Sequence, residues 1–129
     1  MFVGVGRIVL DYFGNQNAAK KRKELEALCE ELRKKFNVSA LEVASFDDPE
    51  RCVMGFAAVI PENWNTASAE GFVQKICDEI DTTAFARVTV EDWDLLVHGK
   101  FEEDQDDGKS PEAREIARRR AKSSKHEND

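Results

Sequence analysis

The chain has 129 residues, a formal net charge of −7, 41% apolar and 35% charged residues. That length suits one domain with its trimmings, and the acidic balance excludes a protein that grips nucleic acid with its whole surface, leaving room only for a local basic patch. Three cysteines, Cys29, Cys52 and Cys77, are an odd number without C-x-x-C spacing, which argues against a disulfide framework or a zinc site, and no apolar run approaches the roughly 20 residues needed to cross a bilayer.

Residues 2–12 alternate in part, with Ile8, Leu10 and Tyr12 on one side and Arg7 and Asp11 on the other. This predicts a long strand with one buried face. Gly4 and Gly6 fall on the side of Ile8, where a missing side chain permits close approach of a helix. Gly14, Asn15 and Asn17 make a turn, and Asn17 is a suitable helix N-cap. From Ala18 to Lys35, the residues Leu25, Leu28, Cys29, Leu32 and Phe36 follow helical spacing and predict an amphipathic helix.

Residues 38–46 and 51–60 read as two strands joined by Asp47-Asp48-Pro49-Glu50, which is turn chemistry. The second is apolar on both faces and should be central. Asn65 or Thr66 can cap a second helix whose stripe is Ala69, Val73, Ile76, Cys77 and Ile80. A last strand runs through residues 86–97, and its alternation slips between Val90 and Trp93, which predicts a bulge there.

The order is β, α, β, β, α, β. Right-handed crossovers then put both helices on one face of a four-stranded antiparallel sheet. The expected class is α+β, a ferredoxin-like βαββαβ sandwich over residues 1–97. Residues 98–129 read as a charged, mobile tail: an acidic stretch, then Ser110-Pro111-Glu112 opening a helix over 111–122 that carries little apolar surface.

No catalytic constellation emerges, and neither an enzyme nor a cofactor or metal is expected. The two histidines, His98 and His126, lie beyond the last strand, and Asp47 and Asp48 sit in a turn. Gly4-Val5-Gly6 lacks a third glycine and is followed by more strand, so it does not cradle a nucleotide. An acylphosphatase would need an arginine in the loop after the first strand, and Phe13-Gly14-Asn15-Gln16 has none. Met1-Phe2-Val3-Gly4 and Gly55-Phe56-Ala57-Ala58-Val59 partly resemble the two signatures of RNA-recognition motifs. Exposing Phe2 for base stacking would, however, expose Ile8 and Leu10 on the same face.

The most informative charges are Lys20, Lys21, Arg22 and Lys23 in the first helical turns, where positive charge opposes the helix dipole. With Arg33, Lys34 and Lys35 they form the candidate nucleic-acid-binding set, a phosphate contact at a helix end that favours anions. The ordinary alternative is a solvated face paired with Glu24, Glu26, Glu30 and Glu31.

Three segments together, Val3 to Leu10, the helix opening through Lys21-Arg22-Lys23, and Arg33 to Val43 with its Phe36-Asn37-Val38 core, resemble the YlxP-like proteins, small bacterial proteins of uncharacterised function. Glu91-Asp92-Trp93-Asp94-Leu95 looks like a variant of their last strand. The resemblance covers about residues 1–97. It implies a ferredoxin-like fold, the bacterial cytoplasm, and a gene neighbourhood shared with translation initiation and ribosome maturation factors. It implies no catalytic residues. After Val43 the chain departs from the pattern, with Ala44-Ser45-Phe46-Asp47-Asp48 where a histidine-containing acidic stretch is usual.

Two roles follow as expectations: a non-enzymatic RNA- or ribosome-associated protein, or a protein-interaction module without nucleic-acid contact. A homodimer is expected through the apolar open sheet face, which carries Val3, Val5 and Val9, or through a strand edge.

Overall fold

The structure is a computed structural model that describes residues 1–83 and 85–99. The expected tail helix over 111–122 lies outside the described residues. The elements are β1 (Phe2–Asp11), α1 (Ala18–Lys35), β2 (Val38–Ala44), β3 (Arg51–Ile60), α2 (Thr66–Thr83) and β4 (Arg87–Val97). All pairings are antiparallel, in the sheet order β2-β3-β1-β4. Leu25, Leu28 and Leu32 of α1 and Val73, Ile76 and Ile80 of α2 share one core with Ile8, Leu10, Met54, Phe56, Trp93 and Leu95. The helices therefore cover one face of the sheet and leave the other open, as the ferredoxin-like reading requires.

Local chemistry sets the element ends. The Asn17 side chain accepts the Lys20 N–H, and the Asn65 side chain accepts the Ser68 N–H, so both helices begin at asparagine caps. Arg33, Lys34 and Lys35 stand in the last turn of α1, where cations complement the dipole. Even-numbered positions of β1 and β3 face the helices and odd-numbered ones face away. A Cβ on Gly4 would stand 2.5 Å from Cγ2 of Val73, and one on Gly6 2.3 Å from the Phe56 ring. The two glycines let α2 and the Phe56 ring lie directly on the sheet.

Two strand details differ from the sequence expectation. Val88 and Trp93 both lie on the helix side although they are five residues apart, which demands one extra residue between them. That residue is Thr89: Val9 pairs with Val90, Leu10 with Val88, and the Thr89 hydroxyl donates to the Val9 carbonyl at 3.3 Å. The bulge thus precedes the expected span. On the opposite edge, β2 ends at Ala44 rather than at residue 46. Ser45 turns to φ +58°, in the left-handed region, and the carbonyls of Ser45 and Phe46 leave the ladder for another partner.

Candidate functional site

That partner is Lys21. Its side chain is fully buried, the one polar residue in the core of the described chain. The ammonium donates to the carbonyls of Ser45 at 2.7 Å, Phe46 at 3.1 Å and Arg51 at 3.1 Å, and stands 3.2 Å from Oε2 of Glu42. A buried ammonium has three protons to place, and here three carbonyls take them while a carboxylate balances the charge. The 45–51 hairpin loop is folded around this cation. Asn15 reinforces it by donating to the Pro49 carbonyl at 2.8 Å, as does the Tyr12 N–H to the Glu50 carbonyl at 2.8 Å.

Lys21 is therefore withdrawn from the surface patch expected of it. Its position was legible in retrospect: it lies one turn before Leu25 on the same stripe, and the buried positions of α1 are Lys21, Leu25, Leu28, Cys29 and Leu32. A basic residue on an apolar stripe is a signal for a buried cation.

The other six cations are exposed but unequal. The Lys20 ammonium lies 5.7 Å from the centroid of the Tyr12 ring, whose hydroxyl donates to Glu24 Oε1 at 2.7 Å. The Arg22 guanidinium reaches the Phe46 carbonyl at 3.4 Å. Arg33 donates to the Ala40 carbonyl on edge strand β2 and to Glu26, each at 2.6 Å. Lys35 bridges to Glu79 of α2 at 2.8 Å. These carboxylate bonds raise the pKa of both Arg33 and Lys35. Lys23 and Lys34 are exposed. Lys20, Arg22 and Lys23 thus share one end of α1, and its first turn carries no acid. Arg33, Lys34 and Lys35 lie at the far end, about 17 Å away at helical rise.

Beside the first group stand two aromatics that the sequence reading did not single out. Phe13, in the β1–α1 loop, is 68% exposed, and Phe46, in the loop pinned by Lys21, is 50% exposed. Their signal in the sequence is a large apolar residue inside turn chemistry. By contrast Phe2 and Phe56, the aromatics of the RNA-recognition resemblance, face the helices and are buried. They do not present a base-stacking platform.

The hollows of the surface are shallow. One of about 350 Å³ is lined by Glu24, Ala27, Leu28, Glu31 and Phe85, and one of about 460 Å³ by Asp11, Tyr12, Phe13, Phe85, Ala86 and Arg87. Neither brings a histidine or thiol to a carboxylate. Cys29, Cys52 and Cys77 are buried and unbridged. Burial pushes the thiols of Cys29 and Cys52 up to about 11, so both are protonated near neutral pH. Among the described residues no three His, Cys, Asp or Glu side chains gather as a metal-holding group, and no helix is long and apolar enough to cross a membrane.

The open face of the sheet is the larger feature. Leu41, Val43, Val59 and Val90 project from it, 54%, 41%, 65% and 48% exposed, beside the half-buried Val3 and Val5. The side of Val43 is fixed by Gly55, whose absent Cβ would stand 3.1 Å from Cγ1 of Val43. Val9 and Val53 lie on the same face and are buried.

The element order, the antiparallel sheet and the one-sided helix layer define a ferredoxin-like α+β domain. Residues 3–92 match the model of DUF503, a family of proteins of unknown function, and the chain belongs to that family. No curated protein matches it in sequence. In structure it is similar to a de novo designed protein with a ferredoxin fold, at 12% identity and a TM-score of 0.39, over 86% of this chain and 96% of the design.

Proposed function

We propose that this chain is a non-enzymatic RNA- or ribosome-associated protein that touches phosphate through the first turns of α1. The observation that carries the reading is the exposed group Lys20, Arg22 and Lys23 at a helix end without an acid in its first turn, beside the exposed rings of Phe13 and Phe46. Cations hold the backbone and aromatic faces accept unpaired bases, a combination suited to single-stranded RNA. Lys34 adds a further cation one helix length away. Lys21 serves the patch indirectly, by holding the loop that presents Phe46. The likeness of residues 1–97 to YlxP-like proteins supports the same reading and a cytoplasmic setting.

The test is fluorescence anisotropy with a labelled single-stranded RNA at low salt. Binding is expected to weaken steeply with salt as counterions are released, by roughly tenfold or more between 50 and 200 mM for a three-phosphate contact. Changing Lys20, Arg22 and Lys23 together to Ala should abolish it without altering the fold. No binding at low salt, or binding indifferent to that triple change, refutes the reading. A second reading, a protein-interaction domain without RNA contact, is favoured by the apolar open face.

A further inference from the structure

We infer that a second copy of this chain covers the open face of the sheet, with the Arg7 of each copy meeting the acidic β4 edge of the other at Asp92. Three properties of that face, none of them tied to RNA binding, point to this pairing.

The first is its chemistry. Val3, Val5, Leu41, Val43, Val59 and Val90 give it an apolar surface spanning all four strands. Small residues, Gly55 and Ala57, lie between them on β3, so nothing bulky blocks an opposing sheet. At one end the register sets Asp11 between Arg51 and Arg87, a charged rim beside the apolar centre. The face is thus apolar around one mid-face pair of charges, Arg7 and Asp92, with a charged rim at one end, and an opposing surface has to match those charges.

The second is size. Three strands of 10 or 11 residues and the seven-residue β2, about 4.8 Å apart, present roughly 600 Å² in flat projection. Side-chain relief raises that toward the roughly 800 Å² per partner of a stable interface.

The third is charge. Arg7 stands near the middle of the face, opposite Asp92 in the β1–β4 register. Both are exposed, and Arg7 makes no ion pair among the described residues. Covering the face would strand an arginine away from water, which is costly unless an acid meets it. A two-fold pairing supplies two such meetings at once, since each copy brings one Arg7 and one Asp92. That self-complementarity favours a second copy over an unrelated protein.

The experiment uses the full chain in sedimentation velocity from 5 to 500 µM. Wild type is expected to pass from monomer to dimer in that range. Arg7→Asp gives a face with acids on both strands, and Asp92→Arg gives one with bases on both. Each alone should weaken self-association at least tenfold, while an equimolar mixture should form a 1:1 heterodimer. Pairing within one chain cannot produce that rescue. Val59→Glu, at an exposed position that the fold does not need, should weaken both the wild-type dimer and the mixed heterodimer. Circular dichroism melts check that the variants stay folded. A wild type that remains monomeric at 500 µM overturns the inference, whether the face is then bare or covered by residues 100–129. So does a dimer that Arg7→Asp and Val59→Glu leave unchanged, or a mixture of the two charge variants that stays monomeric.

Discussion

Replacing Lys21 by Met tests whether the buried ammonium holds the β2–β3 loop. Met keeps the length and apolar stem of the side chain and removes only its charge and three donors. Three carbonyls, at 2.7, 3.1 and 3.1 Å, then lose the ammonium, those of Ser45 and Phe46 keeping the Asp48 N–H at 3.2 Å and the Arg22 guanidinium at 3.4 Å, and Glu42 loses the cation 3.2 Å from its Oε2. Breaking a buried charge pair by removing one partner costs about 3–5 kcal/mol. The Glu42 side chain is 15% exposed, so water recovers part of that and the lower end of the range is expected. For a domain of this size about 3 kcal/mol lowers the melting temperature by roughly 15 °C or more. Adding Glu42→Gln to Lys21→Met should recover about 1–2 kcal/mol, because no uncompensated carboxylate remains. The assay is urea unfolding followed by tryptophan fluorescence, for which the buried Trp93 is the natural probe. A loss below about 1 kcal/mol for Lys21→Met would mean that the ammonium is not enclosed as described, and would return Lys21 to the surface patch.

Two further outcomes follow from the packing. Gly4→Ala places a methyl 2.5 Å from Cγ2 of Val73, a stiff β-branched side chain on α2, and should cost about 1–3 kcal/mol in urea unfolding. Adding Val73→Ala should make the glycine change nearly neutral, and a plain sum of the two losses would count against direct contact. Stability should also fall in alkali. The thiols of Cys29 and Cys52 ionise at about 11 in the folded chain, against 9.0 for a free thiol. Between those values the unfolded chain has shed protons that the folded chain retains, so their contribution is complete below pH 9 and is lost as pH rises toward 11. Two pKa units correspond to about 2–3 kcal/mol per thiol. Urea midpoints at pH 8, 9, 10 and 11 measure the loss, and Cys29→Ala with Cys52→Ala should flatten it; an unchanged slope would disprove the assignment.

Much of the fold is local information. Partial alternation in residues 2–12, an apolar run over 51–60 between turn chemistry and Pro61, helical spacing from Leu25 to Leu32, and asparagines ahead of each helix are properties of neighbouring residues, so they can be read without knowing what packs on what. The glycines were legible for the same reason: Gly4 and Gly6 share a phase with Ile8, and that phase is the one the helices cover. The β4 bulge was legible as a slip in alternation but placed too late, between Val90 and Trp93; the extra residue is Thr89, and only the pairing with Val9 and Leu10 reveals it.

The candidate site is different in kind. Seven cations of α1 look alike in the sequence, and their fates depend on groups far along the chain. Lys21 is buried because the carbonyls of residues 45, 46 and 51 converge on it, and Lys35 is paired because α2 brings Glu79 alongside. Carbonyl directions are set by backbone torsions such as the positive φ of Ser45, which no residue type dictates. The sequence by itself determined the element order, the buried phase of the first strand and the apolar stripes of both helices. Only the tertiary structure decided which cations remain at the surface and gathered Leu41, Val43, Val59 and Val90 on one uncovered face. The physical reason is that both depend on register and on long-range hydrogen bonds, whose energies exist only once distant segments meet.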